Sequence, residues 1–253
     1  MATKFYVVWQ GRKPGVYQDW PSTLAQVDKF PGAKYKSFKT LPEAQAAFSG
    51  SVSGTAKRSS KTKAPAKNGI KTYSADEVSN LQADIKIFTD GACEPNPGQA
   101  GSGMAIYRND EIHSLWYGLY NPQGTNNSAE LNALHQALIK AQELLALQLS
   151  VVIFCDSKYA IQCITQWAQN WQRNGWKKSG GEIKNLDLIQ AIFKLYQTLK
   201  GDIQILHVNG HVGVEGNELA DRMSMYAVAQ QQTDFTDYPQ PINIQSILAM
   251  QNG

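Results

Sequence analysis

Two apolar runs of this chain each end in an aspartate. Ile85-Lys86-Ile87-Phe88-Thr89-Asp90-Gly91 is rich in strand formers and stops at a turn residue, and Ser150-Val151-Val152-Ile153-Phe154-Cys155-Asp156 repeats the pattern. A carboxylate at the end of a strand lies at the rim of a sheet, where α/β proteins place ligands. Two further acids, Glu130 and Asp221, fall in segments with helical patterning. Four carboxylates converging on one rim would repel one another unless cations neutralised them. The pattern therefore points to a metal-dependent enzyme that uses hard, oxygen-bound cations. His211, in the Gly-flanked loop Asn209-Gly210-His211-Val212-Gly213, has the best claim of the four histidines to join that chemistry.

Other chemistries find little support. His207 and His211 are four apart but on a strand and a loop, with no Glu between them in zincin order, so a zinc site is rejected. His207 reads as a strand histidine facing solvent or a partner. Gly98, Gly101 and Gly103 have neither Rossmann spacing nor a P-loop Lys-Ser/Thr. There is no nucleophile elbow, and Cys93 and Cys155 have no activating basic neighbours in sequence. The three cysteines show no CxxC spacing, which suits reduced core thiols and a cytoplasmic location. No run approaches membrane-spanning length, so no membrane association is expected.

The elements that must position the acids can be read in order. Ile85–Asp90, Met104–Tyr107 and Ile112–Tyr120 are three expected antiparallel strands, joined by turn-rich stretches at Gly91–Gly98 and Asn109-Asp110. A helix follows, capped by Asn126, Asn127 or Ser128, with Leu131, Leu134, Leu138, Ala141 and Leu145 as its buried stripe. Glu130 lies in its first turn, where a carboxylate also eases the helix dipole. The fourth strand ends at Asp156, and a helix starts at Ser157. Trp167 to Lys178 then packs three tryptophans and three basic residues into twelve positions. Trp167 and Trp171, at i and i+4, suit one buried stripe, whereas Gly175-Trp176-Lys177-Lys178 reads as an exposed basic handle. Leu186–Leu199 is amphipathic, Ile203–Val208 is a fifth strand, and Asn217–Ala229 is a last helix carrying Asp221.

The front of the chain differs in charge. Residues 1–70 hold 12 Lys and Arg against 3 Asp and Glu, a net +9, while the remainder carries −6. A basic front suits a polyanion, and an acidic back suits cations. Residues 1–49 read as a small domain: a hairpin of Phe5–Trp9 and Val16–Trp20, a short helix capped by Ser22, a third strand over 33–38 and a helix from Leu41 to Phe48. Arg12, Lys13, Lys34 and Lys36 interleave with Tyr6, Trp9, Tyr17, Trp20 and Tyr35, a mixture that serves phosphates and sugars or bases. From composition alone, Trp20 and Tyr35 fit a small core as well as they fit a binding face. Residues 50–83 are expected to be a flexible basic linker and residues 230–253 a disordered tail.

Two stretches resemble known families. Phe5-Tyr6-Val7-Val8-Trp9-Gln10-Gly11-Arg12-Lys13-Pro14-Gly15-Val16-Tyr17, Trp20, Gln26-Val27-Asp28 and Ala33-Lys34-Tyr35-Lys36-Ser37-Phe38 are similar to the hybrid-binding, or viroplasmin-like, domain. That resemblance implies binding of RNA–DNA hybrid and, less well, of double-stranded RNA. Tyr6, Lys34 and Lys36 would lie on the RNA side, and Trp20 with Tyr35 on the DNA side. Ser37 stands where some members carry a second Lys.

Residues 84–229 resemble type 1 ribonuclease H. The resemblance rests on Phe88-Thr89-Asp90-Gly91-Ala92-Cys93 with Asn96-Pro97-Gly98, on Thr125-Asn126-Asn127-Ser128-Ala129-Glu130-Leu131 and on Cys155-Asp156-Ser157-Lys158-Tyr159. It continues through Ile164-Thr165-Gln166-Trp167, Gly175-Trp176-Lys177, Val208-Asn209-Gly210-His211 and Gly216-Asn217-Glu218-Leu219-Ala220-Asp221. It implies a five-stranded mixed sheet flanked by helices, preceded by a small three-stranded α+β domain. It further implies endonucleolytic hydrolysis of the RNA strand of a hybrid, leaving 5′-phosphate and 3′-hydroxyl ends. Asp90, Glu130, Asp156 and Asp221 would hold two Mg2+ ions, with Mn2+ as a substitute, and His211 would assist proton transfer or product release. Asn96, Thr125, Asn127 and Asn185 match positions near the DNA phosphate, Trp167 and Trp171 match a channel packing on DNA sugars, and Lys177 and Lys178 belong to the handle. Gln123 stands where well-known members carry an Arg, which implies a weakened or rearranged phosphate pocket. The chain is expected to act as a monomer. Competing readings are another nuclease or recombinase of the same fold and a non-catalytic hybrid-binding protein.

Overall fold

The structure, a computed structural model, describes residues 4–28, 30, 32–49, 69–210 and 213–253. His211 and most of the expected linker lie outside the described residues. The chain divides into two compact units, Met1–Ala66 and Lys67–Gly253.

The first unit is a three-stranded antiparallel sheet with two helices. β1 (Phe5–Gln10) lies between β2 (Gly15–Tyr17) and β3 (Lys34–Phe38). Trp20 does not extend the hairpin. It opens α1 (Trp20–Val27), whose cap is Asp19 rather than Ser22: the Asp19 carboxylate accepts from the Ser22 amide at 2.7 Å. An Asp before a Trp-Pro start is the better cap because its side chain meets the orphan amides of the first turn while Pro needs no partner. α2 (Leu41–Ser49) completes the unit, and Val7, Val8, Val27 and Ala44 are buried.

The second unit is built on a seven-stranded mixed sheet. Its five central strands are β5 (Ile85–Glu94), β6 (Gly98–Arg108), β7 (Glu111–Gly124), β8 (Val151–Cys155) and β9 (Ile203–Val208). Two short edges flank them: β4 (Thr72–Tyr73) beside β9 and β10 (Thr236–Asp237) beside β7. β5, β8, β9 and β4 run parallel, and β5, β6, β7 and β10 pair antiparallel. Side chains alternate across this sheet. Ile85, Ile87, Val151 and Ile153 face α4 (Asn126–Ala146) and α7 (Leu186–Leu199), whereas Phe88, Val152 and Phe154 face α8 (Glu215–Gln230). Both faces are covered, which is why the central strands read as nearly continuous apolar runs.

Two expectations at the borders of this unit are corrected. Residues 69–83 are not linker. They form β4 and α3 (Ala75–Ser79), the latter closed by a Ser74–Glu77 capping box, and Val78 is buried against Phe88 and Tyr107 in one cluster. Residues 230–253 are not a disordered tail. They supply β10 and α9 (Ile244–Leu248), whose Ile247 is 1% exposed. In each case a short polar stretch carries a few apolar residues that have a ready edge or helix face to cover. Among the described residues no helix is long and apolar enough to cross a membrane.

Candidate active site

The pairing of the central strands places the first two acids. Thr89 is opposite Cys155 in the parallel pairing of β5 and β8, so Asp90 and Asp156 follow on adjacent strands one residue further on. Gly91 then lets α4 come close. A Cβ there would sit 2.3 Å from the Glu130 amide nitrogen, so no other residue type fits between β5 and the start of α4. Thr125, not one of the three residues after it, caps this helix: its hydroxyl accepts from the Ser128 amide at 3.1 Å, and the Ser128 hydroxyl accepts from the Thr125 amide at 2.9 Å. Asp221 arrives from α8, which packs tightly on β6 at Gly103.

The structure brings Asp90, Glu130, Asp156 and Asp221 together around one cleft of about 340 Å³, which Cys93, Glu94, Asn126 and Gly253 also line. Asp90 and Asp221 are buried, at 7% and 3% exposure, and Glu130 and Asp156 are half-buried. Burial raises the Asp90 carboxyl well above the usual carboxylate range, and the charges of Asp156 and Asp221 add to it. Burial also raises Glu130, with Asp90 and Asp156 as the opposing charges. Glu130 Oε2 is buried without a hydrogen-bond partner among the described residues, a costly state for an ionised oxygen unless a cation meets it.

These residues fit a hard cation. Ligand atoms of Glu130, Asp156 and Cys155 lie within 4.8 Å of one another. Burial and the neighbouring acids push the Cys155 thiol well up, so it stays protonated and the oxygens are the usable donors.

Around the acids are residues whose role the sequence alone did not disclose. Asn217, 1% exposed, donates from Nδ2 to Asp156 Oδ2 at 3.3 Å. Arg222 forms a close ion pair with Asp221 Oδ2, and the Gly253 amide donates to Asp221 Oδ1 at 3.0 Å. His207 does not face solvent. It is 3% exposed, and its burial lowers its pKa. Asn217 belongs to the Gly216–Asp221 stretch, which was a usable signal; Arg222 had only its adjacency to Asp221.

The remaining predicted contacts lie on several elements of the second unit and on the first unit. Asn96 Oδ1 accepts from the Asn126 amide at 3.3 Å, which ties the loop after β5 to the start of α4 beside Thr125 and Asn127. The Thr125 hydroxyl is engaged in the cap, Asn127 is exposed, and Gln123 is exposed two residues before that cap. Trp167 and Trp171 are half-buried at the edge of the core with ring centroids 5.9 Å apart, at the junction of a π-helical turn (Cys163–Trp167) and α6 (Ala168–Arg173). Lys177 and Lys178 are exposed beyond them, and Asn185, with φ 58°, precedes α7. In the first unit Tyr6, Trp20 and Tyr35 form one aromatic cluster, with centroids 5.5 and 5.8 Å apart and with Trp20 40% and Tyr35 47% exposed. Alternation along β3 turns Lys34 and Lys36 to the face opposite Tyr35.

Comparison with known proteins is consistent across the chain. A family model described as RNase H matches residues 82–229, and one described as the Ribonuclease H1 N-terminal domain matches residues 4–48. The curated protein Ribonuclease H1 of Homo sapiens is 33% identical over 261 residues, covering 89% of this chain and 90% of its own. Ribonuclease H1 of Mus musculus is 32% identical with the same coverage. Among solved structures, LC9-RNase H1, described as a type 1 RNase H with the type 2 active-site motif, superposes with a TM-score of 0.53 at 23% identity. It covers 66% of this chain and 81% of its own. The PFV RNase H domain gives 0.50 at 23% identity, covering 60% and 98%.

Proposed function

Because the chain belongs to the ribonuclease H family, with a ribonuclease H1 type of N-terminal domain, we propose that it hydrolyses the RNA strand of RNA–DNA hybrids endonucleolytically. The products are 5′-phosphate and 3′-hydroxyl ends. The observation that carries this reading is the convergence of four acids on one cleft with Glu130 Oε2 buried and unsatisfied. Asp90, Glu130, Asp156 and Asp221 hold two Mg2+ ions, for which Mn2+ substitutes. The ions supply charge neutralisation at the scissile phosphate and an activated water.

The chain's own residues do the rest. Asn217 fixes the orientation of the Asp156 carboxylate from the first turn of α8. Glu130, near the start of α4, senses the 2′-hydroxyl that separates RNA from DNA. His211 moves a proton or helps the product leave. Asn96, Thr125, Asn127 and Asn185 serve the DNA strand's phosphates, Trp167 and Trp171 its sugars, and Lys177 and Lys178 add phosphate attraction. In the first unit the exposed Trp20 and Tyr35 rings pack on the DNA strand, Lys34 and Lys36 serve the RNA strand's phosphates, and the unit takes double-stranded RNA more weakly. A monomer in a reducing, cytoplasmic setting suits the three free cysteines among the described residues.

The test is a cleavage assay on end-labelled RNA–DNA hybrid, RNA duplex and DNA duplex, each with Mg2+ or with chelator. Cleavage of the hybrid's RNA strand alone, and only with the cation, is expected. Cleavage of plain DNA duplex would move the chain to another nuclease of this fold, and tight hybrid binding without cleavage to a binding protein.

A further inference from the structure

Two stretches of the second unit lie outside both family matches, 69–81 and 230–253, and each reaches one of the four acids. Thr72 is the cross-strand partner of His207. Its hydroxyl lies 2.8 Å from His207 Nδ1, and His207 Nε2 lies 3.1 Å from the backbone oxygen of Asp156. A carbonyl oxygen only accepts, so Nε2 carries the ring hydrogen, and Nδ1 accepts from the Thr72 hydroxyl. The ring thus bridges β4 to the turn between β8 and α5 (Lys158–Gln162), where Asp156 sits. On the other side, the Gly253 amide donates to Asp221 Oδ1 at 3.0 Å, and Arg222, which holds Oδ2, donates from Nε to the Leu248 carbonyl at 3.4 Å. Ile247 anchors this segment in the core that α8 covers.

We infer that these two flanking segments set the cation affinity of the site in opposite directions. Thr72, acting through His207, is a positioning residue that favours binding. Residues 251–253 oppose it, because the Gly253 amide draws on Asp221 Oδ1 and makes that oxygen a weaker donor to a cation. The inference rests on the reading of the four acids as cation ligands. Without its hydroxyl partner His207 Nδ1 is left unpaired in a buried position, and the ring that holds the Asp156 carbonyl is oriented less firmly.

The test uses the full chain with Thr72→Val, Thr72→Ser, or deletion of residues 251–253, which leaves Ile247 and Leu248 in place. Binding of Mn2+ and of Mg2+ is measured by calorimetry without substrate, and hybrid cleavage is followed at varied Mg2+. Thr72→Val is expected to weaken cation binding about three- to tenfold, and the deletion to strengthen it by about the same factor, the size of one hydrogen bond. Thr72→Ser is expected to restore wild-type affinity. Should Thr72→Val not fold, Thr72→Ala carries the same expectation. Wild-type cation affinity in either the Val variant or the deletion overturns the inference, as does a Ser variant as weak as Val. Cation binding that shifts as expected in a protein that cleaves no hybrid leaves this inference standing and removes the proposed activity instead.

Discussion

At the scale of the residue, the site is a set of like charges held together by packing. Asp90 and Glu130 keep their protons to higher pH in the folded chain than at their ordinary values of 3.8 and 4.5, through burial first and neighbouring acids second. The folded state therefore binds protons that the unfolded chain has already lost. Stability is highest below those ordinary values and falls as pH rises from them through the raised ones. A cation binds the ionised form and reverses this penalty. With chelator present, the thermal midpoint is expected to drop between about pH 5 and pH 8, and the gain from added Mg2+ to be larger at the higher pH. A midpoint in chelator that stays level or rises across that range would show that the acids are not held as described. Asp90 and Asp156 were legible because each ends an apolar run. The Gly216–Asp221 stretch pointed to Asn217 but not to its partner, 61 residues away, and His207 was not legible because its partner lies 51 residues away and no local pattern records such a contact.

At the scale of the element, the site depends on how closely α4 and α8 approach the sheet. Gly91 is the tightest point, with no room for a methyl group beside the Glu130 amide. Gly91→Ala is expected to push α4 away and reduce hybrid cleavage by about 100-fold, since misplacements of about 1 Å at a catalytic group carry such penalties. Activity within threefold of wild type would show that the approach is not needed. The central strands and long helices were readable from periodicity. β4, α3, β10 and α9 were not, because two-residue strands and five-residue helices take their stability from the surfaces they cover rather than from their own sequence. A fragment of residues 84–229 is accordingly expected to melt well below one of residues 69–253. Equal midpoints would return those borders to the status of linker and tail.

At the scale of the whole molecule, the chain joins a small basic unit to a larger acidic one. The division of labour follows from where the chemistry sits: all four acids are in the second unit, and the exposed Trp20 and Tyr35 are in the first. Residues 69–253 alone are expected to keep kcat within about twofold while KM for hybrid rises roughly tenfold or more, the signature of lost uniform binding. An unchanged KM would remove the first unit from substrate capture. The measurement closest to the central claim compares Asp90→Asn with the wild-type chain for cleavage of RNA–DNA hybrid under saturating Mg2+, alongside hybrid binding. Cleavage reduced by about 1,000-fold or more with binding retained is the predicted result, because the change removes a charged oxygen ligand and no phosphate contact. Substantial cleavage by Asp90→Asn would contradict the assignment of the four acids as the metal-holding catalytic centre.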